Sequence, residues 1–445
     1  NYAHQVLRHV EAASAAGLPA VVARNEKGAH RELGWHELKR QVASLALHLK
    51  AQGVAPGDRV AAYLPNVIET MAAFLATVSI GGIWSVCAPD MGTAAVLDRF
   101  KQIEPKVLIA CDGVSYAGKD HDRRAVVEEL RAALPSVRHT IMLSNLGLPA
   151  TVSDAAGFAA TIARDDEATK AFEPLSRPFD HPIWIVYSSG TTGLPKPIVH
   201  GHGGALIVAL ALMVLHNDVG CSYDQNSLGE RFHWYSSTGW VMWNAQVGGL
   251  LGGTTICIYD GSPSGAKQDP DWSLLWRFAS RHRVTWFGAG AAFYASCRKA
   301  GLTLHRCGDL GAVRALGSTG SPLPAEVQLW GSAEFEAVGR GRIWWSNISG
   351  GTDLCANFAA GNRMLPATPG KLQCRQLGAS VEAWSEDGEP LTGAVGELVC
   401  TKPYPSMPLY LWGDTDGERY RGAYFDVWPG IWRHGDWLQI DADGS

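Results

Sequence analysis

Neither sign of charge dominates this sequence, and it lacks a long apolar run. Its 445 residues include 38 basic and 43 acidic side chains, giving a net charge of -5. Nucleic-acid-binding domains usually carry a basic surplus, so this balance predicts no nucleic-acid partner. The longest apolar stretch, residues 205–215, is shorter than the ~20 residues that cross a bilayer. We therefore predict no membrane span, and we expect a buried helix at 205–215.

Cysteine pairs at metal-binding or redox spacing are also missing. The nine cysteines are scattered from Cys87 to Cys400 without a C-x-x-C pair, and their odd number argues against a disulfide framework. The first residues, Asn1 to Gln5, show no basic-then-apolar signal pattern. These absences predict reduced thiols in a cytoplasmic protein.

Short apolar runs alternate with helical patterns along most of the chain, which is typical of an α/β fold with largely parallel, buried sheets. From about residue 370 the pattern changes to short strands and turns, which indicates a small β-rich subdomain. The polar segment 217–231 is predicted to be an exposed loop. The predicted strands are 59–64, 106–110, 140–143, 183–187, 255–259, 284–287, 343–345, 379–384, 397–400 and 437–440, with helices at 67–79, 94–103 and 271–281. The predicted units are α/β subdomains at 1–180 and 181–369, a β-rich subdomain at 370–437 and a connecting segment at 438–445.

The most specific motif is a run of hydroxyls and glycines that ends in a lysine, Tyr187-Ser-Ser-Gly-Thr-Thr-Gly-Leu-Pro-Lys196. Glycines let backbone N–H groups turn towards an anion, hydroxyls add donors, and Lys196 supplies a positive charge for a phosphate. The spacing differs from G-x-x-x-x-G-K-[ST], because Lys196 follows Gly193 by three residues and precedes Pro197. The motif predicts a phosphate-binding loop of a different class from that of P-loop NTPases.

This loop resembles the signature of the adenylate-forming superfamily, which includes acyl-CoA synthetases, peptide-synthetase adenylation domains and luciferases. Further motifs follow in the order of that superfamily. They are Leu64-Pro65-Asn66, Gly81-Gly82-Ile83-Trp84, Gly317-Ser-Thr-Gly-Ser-Pro322, Ser349-Gly-Gly-Thr-Asp353, Gly396-Glu397-Leu398 and His434-Gly435-Asp436. The resemblance covers most of the chain. It implies the N-terminal domain of such an enzyme, with two mixed or parallel sheets sandwiched by helices.

The resemblance implies that ATP and Mg²⁺ bind along these motifs. Thr352 would bond the α-phosphate, Asp436 the ribose hydroxyls, and Asp353 would ligate Mg²⁺. The superfamily usually has Glu where Asp353 stands, which leaves both direct ligation and ligation through water open. The implied catalytic residues are Lys196, Thr352 and Asp353. The implied ATP-binding residues are Ser188, Ser189, Gly190, Thr191, Thr192, Gly193, Lys196, Gly320, Ser321, Pro322, Ser349, Gly351, Thr352 and Asp436.

The acid substrate is indicated by the implied acyl pocket. Amino-acid-activating relatives use an Asp in the region of 233–244, whereas this chain has no acidic residue there and would leave a buried ammonium unpaired. Acetyl-CoA synthetases carry Trp where Gly350 stands, so glycine leaves room for a longer acid. The stretches 236–244 and 259–263 resemble acyl-CoA synthetases that act on acetoacetate. The implied pocket residues are Trp240, Val241, Met242, Thr319 and Gly350, and the hydroxyls expected to bond a second carbonyl are those of Ser236, Ser237, Thr238 and Thr319.

A basic cluster after Gly118 is the candidate for binding CoA, whose phosphates need positive partners. It contains Lys119, Arg123 and Arg124, and acetyl-CoA synthetases have a similar loop that contacts the CoA nucleotide. An equally supported interpretation is a solvated run of charge before the next helix.

The resemblance implies a reaction in two steps. Acetoacetate and ATP would form acetoacetyl-AMP and pyrophosphate, and CoA would then displace AMP. Relatives also have a mobile C-terminal domain that supplies a hinge residue, an Arg and a catalytic Lys. It begins just past a motif like Asp441-Ala-Asp-Gly-Ser445, so we expect that domain to be missing from this sequence.

Three alternatives share part of this pattern. A CoA ligase for butyrate, 3-hydroxybutyrate or propionate would have the same motifs. A nucleotide-binding module without catalysis would have the same loop. A P-loop NTPase or kinase would make ADP rather than AMP, and its loop and catalytic Asp motif are not found here.

Overall fold

Strands and helices alternate in the computed structural model, which describes residues 1–189, 193–224, 229–339 and 341–445. The strands are β1 Pro19–Asn25, β2 His30–Gly34, β3 Arg59–Tyr63, β4 Ile83–Cys87, β5 Val107–Cys111, β6 Gly113–Tyr116, β7 Lys119–Asp122, β8 His139–Leu143, β9 Ala156–Gly157, β10 Pro182–Ser188, β11 Lys196–Gly201, β12 Arg231–Trp234, β13 Thr255–Asp260, β14 Trp286–Gly290, β15 Ala315–Thr319, β16 Trp344–Asn347, β17 Ser349–Gly351, β18 Ala356–Ala360, β19 Cys374–Arg375, β20 Val381–Trp384, β21 Pro390–Leu391, β22 Val395–Cys400, β23 Tyr410–Leu411 and β24 Trp432–Gln439.

The helices lie mostly between these strands. They are α1 Tyr2–Leu7, α2 Val10–Ala15, α3 Trp35–Ala51, α4 Ile68–Ser79, α5 Thr93–Ile103, α6 Arg124–Ala133, α7 Phe158–Thr161, α8 Glu167–Lys170, α9 His202–Leu210, α10 Val241–Gly248, α11 Leu274–Arg281, α12 Ala291–Lys299, α13 Ala325–Ala337 and α14 Glu418–Tyr424. A π-helix at Ala211–His216 continues α9, and short 3₁₀ helices lie at Gly249–Gly252 and Leu304–Arg306.

Two large sheets form the body of the protein. The first has the strand order β23-β11-β10-β4-β3-β5-β8-β9, and the second has the order β16-β15-β14-β12-β13-β1-β2. Pairs are parallel except β10–β11 and β11–β23 in the first sheet and β1–β2 in the second. Smaller sheets join β17-β18-β19 and β21-β20-β22-β24, and β6 and β7 form a hairpin. The predicted α/β class with mixed, mostly parallel sheets is confirmed.

Side chains that alternate along each strand give both large sheets two apolar faces. In β3, Val60 and Ala62 face a helical layer between the sheets, whereas Ala61 and Tyr63 pack with α5 and α6 on the outside. β13 repeats this pattern, with α11, α12 and α13 on its outer face. Helix α4 is buried along its whole length within the middle layer. The helices therefore sandwich both sheets.

The two sheets interleave along the chain. β1 pairs in parallel with β13, placing Val21 opposite Ile256. β10 and β11 follow residue 180 but belong to the same sheet as β3, β4 and β5. The predicted boundary between residues 180 and 181 therefore does not separate the two sheets, because strands from both sides of it belong to the first sheet.

Several predicted elements are shifted, among them the strand expected at 437–440, which spans Trp432–Gln439. Local capping explains two of the other shifts. The helix expected at 271–281 begins at Leu274, because the Asp271 carboxylate accepts from the Ser273 N–H at 3.0 Å and forms a turn first. The strand expected at 284–287 begins at Trp286. Arg283 takes a left-handed conformation, with φ at 49°, and the Val284 N–H still closes the end of α11 on Ala279.

The prediction of an exposed loop at 217–231 is wrong for several of its described residues. Asn217 and Glu230 are buried. The Glu230 carboxylate forms a buried ion pair with the Arg314 guanidinium, 2.8 Å between Oε1 and Nη2. The polarity of a short segment cannot indicate an ion pair with a residue so far away in the sequence. Residues 225–228 lie outside the described ranges.

The apolar stretch 205–215 is helical as predicted, although it is buried on one side only. Val208 and Leu212 are buried, whereas Ile207, Val214 and Leu215 are about half exposed. Among the described residues the structure contains no helix with the length and apolar character of a membrane-spanning segment.

Buried His233 predicts how stability depends on pH. Its Nδ1 donates to the Cys257 carbonyl oxygen at 2.7 Å, and burial lowers its pKa from 6.5 to about 4. As pH falls, the unfolded chain takes up a proton near pH 6.5 that the folded chain takes up only near pH 4. Stability is therefore lost across this window, by about 1.4 kcal/mol per pH unit for this group.

Urea unfolding across that window measures the effect. The variant His233→Asn keeps an N–H donor close to the place of Nδ1 and removes the titrating ring. Its free energy of unfolding should fall less steeply with decreasing pH than that of the parent protein. Equal slopes would contradict this assignment.

Candidate active site

The lysine of the predicted phosphate loop is paired with the predicted metal ligand. Lys196 Nζ at the start of β11 donates to Asp353 Oδ1 at 2.8 Å, just after β17. The hydroxyl of Tyr424 on α14 donates to the same oxygen at 2.5 Å, and Ser188 Oγ lies 3.3 Å from it. Residues far apart in sequence thus converge on one carboxylate.

The environment of Asp353 favours its ionised form. Burial alone would raise the pKa of this carboxyl group, but hydrogen bonds from Lys196 and Tyr424 outweigh it and hold the pKa below its ordinary value. Within the described ranges no three His, Cys, Asp or Glu side chains converge as a metal site. Mg²⁺ prefers one or two carboxylates together with substrate phosphates, so a single ionised Asp353 fits that ion.

His200 holds the backbone at Asp353 and is absent from the sequence-derived site. The Trp184 indole N–H donates to His200 Nδ1 at 3.0 Å, so Nε2 carries the proton and donates to the Asp353 carbonyl oxygen at 2.8 Å. Burial lowers the pKa of His200 to about 4, which keeps this ring neutral. Its only sequence signal is its position four residues after the lysine of the loop.

A cavity of about 690 Å³ brings together most of the predicted residues on the adenine and ribose side. Its lining includes Gly320, Ser321, Pro322, Ser349 and Asp436. The predicted residues Gly351 and Thr352 line a neighbouring cavity instead. Ser189 and Gly193 are exposed, and the predicted residues Gly190, Thr191 and Thr192 lie outside the described ranges.

Asp436 is presented at the rim of the large cavity from within β24, where the pairing with β22 is irregular in register. The Gly435 N–H donates to Glu397 Oε1 at 2.7 Å, which ties this part of β24 to the neighbouring strand β22. The Asp436 side chain is 61% exposed, and its Oδ2 lies 3.5 Å from His434 Nε2. An exposed carboxylate with two acceptor oxygens can receive two hydroxyls of a sugar.

The predicted acyl-pocket residues all line the second cavity, of about 270 Å³. They are Trp240, Val241, Met242, Thr319 and Gly350. Thr319, Gly320 and Gly350 line both cavities. An acid in the smaller cavity would therefore lie next to a nucleotide in the larger one.

Of the four hydroxyls expected to bond a second carbonyl, those of Ser236, Thr238 and Thr319 donate to backbone oxygens, and Ser237 Oγ accepts from the Gly239 N–H at 3.3 Å. Their predicted role stays a prediction. Thr238 donates to the Leu64 carbonyl oxygen at 2.7 Å, and Ser236 donates to that of Ser237 at 2.9 Å. Thr319 lines the cavity, but its hydroxyl donates to the Ile348 carbonyl oxygen at 2.9 Å. Pattern alone could not show that nearby backbone carbonyls accept these donors.

Gly350 does more than leave space in the pocket. A Cβ atom there would lie 2.4 Å from the Ala356 carbonyl oxygen and 2.7 Å from Asn357 Oδ1. Both residues belong to β18, which pairs with β17 across an irregular register at Ser349 and Gly350. Glycine therefore allows the close approach of β18, and a tryptophan at 350 would displace this strand.

The basic cluster lies on the β6–β7 hairpin and the start of α6, and its predicted role with CoA stays a prediction. Arg124 forms an ion pair with Asp122, 2.6 Å between Nη2 and Oδ2, whereas Lys119 is exposed. The hairpin turn is held by Glu26. That carboxylate accepts from the N–H groups of Ala117 at 3.0 Å, of Gly118, and of Ser262 at 2.8 Å.

The chain is similar to known proteins along its whole length. The family model described as "AMP-binding enzyme" matches residues 9–411. An acetoacetyl-coenzyme A synthetase of Rhizobium meliloti (strain 1021) is 41% identical over 100% of this chain and 65% of its own length. The corresponding protein of Xenopus tropicalis is 37% identical over 99% of this chain and 64% of its own length.

A solved structure shows the same fold. The structure described as acetoacetyl-CoA synthetase from Streptomyces lividans is 46% identical, with a TM-score of 0.92, over 100% of this chain and 66% of that one. This chain thus spans about two thirds of the length of the relatives it matches. Since the family model covers most of the sequence, the chain belongs to the AMP-binding enzyme family.

Proposed function

We propose that this chain is the ATP- and acid-binding part of an acid–CoA ligase that uses acetoacetate. The products would be acetoacetyl-CoA, AMP and pyrophosphate. The observation that carries this proposal is the pair of adjoining cavities that share Thr319, Gly320 and Gly350. Relatives named acetoacetyl-CoA synthetase, 37–41% identical over nearly the whole chain, support the choice of acid.

The first step requires a carboxylate oxygen of the acid to attack the α-phosphorus of ATP, with pyrophosphate leaving. Lys196 would move from Asp353 to the phosphates, and Thr352 would donate to the α-phosphate. Asp436 would hold the ribose. When bound, Mg²⁺ would neutralise phosphate charge beside Asp353. These residues position the reactants and offset charge, which is how most phosphoryl-group chemistry is accelerated.

The second step requires the CoA thiolate to attack the acyl carbon, with AMP leaving with the bonding electrons. Lys119, Arg123 and Arg124 remain the candidates for contacts with the CoA phosphates. We propose that the catalytic lysine and the mobile domain belong to another part of the protein. That part would correspond to the third of the relatives' length that this chain does not cover. A cytoplasmic location is supported by the nine cysteines, which are all free thiols.

AMP release by the full-length protein tests the proposal directly. With ATP, Mg²⁺ and CoA present, acetoacetate should give a higher kcat/KM than acetate, propionate, butyrate or 3-hydroxybutyrate. AMP release that depends on acid and CoA, with no ADP, would support the reaction class. Acetate or propionate clearly ahead of acetoacetate would overturn the choice of substrate, and no turnover with any acid would overturn the activity.

A further inference from the structure

One tyrosine hydroxyl lies between the lysine and the carboxylate of the candidate active site. The oxygen of Tyr424 is 2.5 Å from Asp353 Oδ1 and 3.4 Å from Lys196 Nζ. An ammonium group can only donate, so Lys196 donates to the hydroxyl and the hydroxyl donates its own proton to the carboxylate. Tyr424 is therefore a donor to Asp353 in its own right.

The ring of Tyr424 is held in place by close packing. It is 2% exposed and stacks on the buried Trp432, with ring centroids 3.7 Å apart and planes inclined by 12°. Side chains packed in this way keep a single conformation. Trp432 begins β24, the strand that also carries Asp436. The same strand therefore supports the tyrosine and presents the candidate ribose ligand.

The hydrogen bonds to the Asp353 side chain all end on one of its two oxygens. Ser188, Lys196 and Tyr424 donate to Oδ1, and none of the described residues forms a hydrogen bond with Oδ2. The Asp353 side chain is still 12% exposed. In the proposed first step Lys196 moves to the phosphates, and the Tyr424 hydroxyl is then the closest donor that stays on Oδ1.

We propose that Tyr424 is a positioning residue for the metal ion: its hydroxyl fixes Oδ1 of Asp353 and leaves Oδ2 to ligate Mg²⁺. This inference rests on the proposed function, and within it on the binding of ATP together with Mg²⁺. Mg²⁺ demands near-ideal octahedral geometry, so its affinity depends on how the carboxylate is oriented. Removing a hydrogen bond that orients a metal ligand typically lowers metal affinity about 10- to 100-fold.

Equilibrium dialysis of ATP against the full-length protein tests this position without acid or turnover. Tyr424→Phe keeps the stacked ring and removes only the hydroxyl. Its Kd for ATP in the presence of Mg²⁺ should rise about 10-fold or more, whereas its Kd for ATP in EDTA should stay close to that of the parent protein. In pyrophosphate exchange, the Mg²⁺ concentration that gives half of the maximal rate should rise by a similar factor.

Tyr420→Phe is the matched control. Tyr420 lies one turn earlier on α14, with its ring centroid 5.4 Å from that of Tyr424. Its hydroxyl forms no hydrogen bond with Lys196 or Asp353. The control should bind both forms of ATP as the parent protein does.

The outcomes separate this inference from the proposed function. If Tyr424→Phe binds ATP with Mg²⁺ as tightly as the parent protein, or loses affinity equally with and without Mg²⁺, the inference is overturned. A parent protein whose affinity for ATP does not depend on Mg²⁺ would also overturn it. A parent protein that binds ATP with Mg²⁺ but releases AMP with no acid would overturn the proposed function alone. Thermal melting shows whether each variant is folded, and if Tyr424→Phe is not, Tyr424→Leu is compared with Tyr420→Leu.

Discussion

Replacing Asp353 with asparagine is expected to lower acid-dependent ATP–pyrophosphate exchange by about 100-fold or more in the full-length protein. Asparagine keeps the size of the side chain but removes the negative charge that would ligate Mg²⁺. The carboxylate is buried and held in its ionised form by Lys196 and Tyr424. No neighbouring carboxylate among the described residues completes a metal site in its place.

Exchange of labelled pyrophosphate into ATP, measured over a range of Mg²⁺ concentrations, tests this expectation. Asp387→Asn is the matched control, because Asp387 is exposed in a turn and lines neither cavity. The control should keep the parent rate. Full exchange by Asp353→Asn at ordinary Mg²⁺ would show that this carboxylate is not needed for metal or phosphate binding.

Lys196→Met is the second change with a large expected effect. The variant keeps an apolar side chain but removes the ammonium group, so the positive charge expected to bind the phosphates is lost. We expect acid-dependent exchange to fall about 100-fold, with a higher KM for ATP. Lys196 also helps to hold down the pKa of Asp353, and without it burial should raise that pKa.

The pH profile separates the direct role of Lys196 at the phosphates from its effect on the pKa of Asp353. If ionised Asp353 is required, its higher pKa in Lys196→Met should move the acidic limb of the remaining activity to higher pH. Lys299→Met, at an exposed position at the end of α12, is the control and should leave rate and profile unchanged. A parent-like profile in Lys196→Met would argue against coupling between the two side chains.

Local pattern was enough to predict the fold class and several site positions, because those features repeat at short range. The buried strands follow from apolar runs. The phosphate loop, predicted from its glycines and Lys196, stays a prediction. The grouping of Trp240, Met242 and Gly350 around one cavity came from a resemblance, and the structure brings these residues together. Their individual roles remain predictions.

The features that pattern missed depend on distant partners. Glu230 looks like a loop residue until Arg314 is placed beside it. His200 acquires its role from Trp184 and from the backbone of Asp353. Hydrogen-bond partners across the fold leave no periodic signal in a sequence.

The parallel pairing of β1 with β13 has a consequence for synthesis of the protein. Val21 lies opposite Ile256, so until the ribosome has made the intervening chain β1 can pair only with β2. At about 5–20 residues per second this takes on the order of ten seconds or more. During that time the apolar residues Ala20, Val21 and Val22 of β1 lack their parallel partner strand. The open edge of β1 can then pair with a wrong strand. The nascent chain should therefore depend on chaperones until β13 emerges.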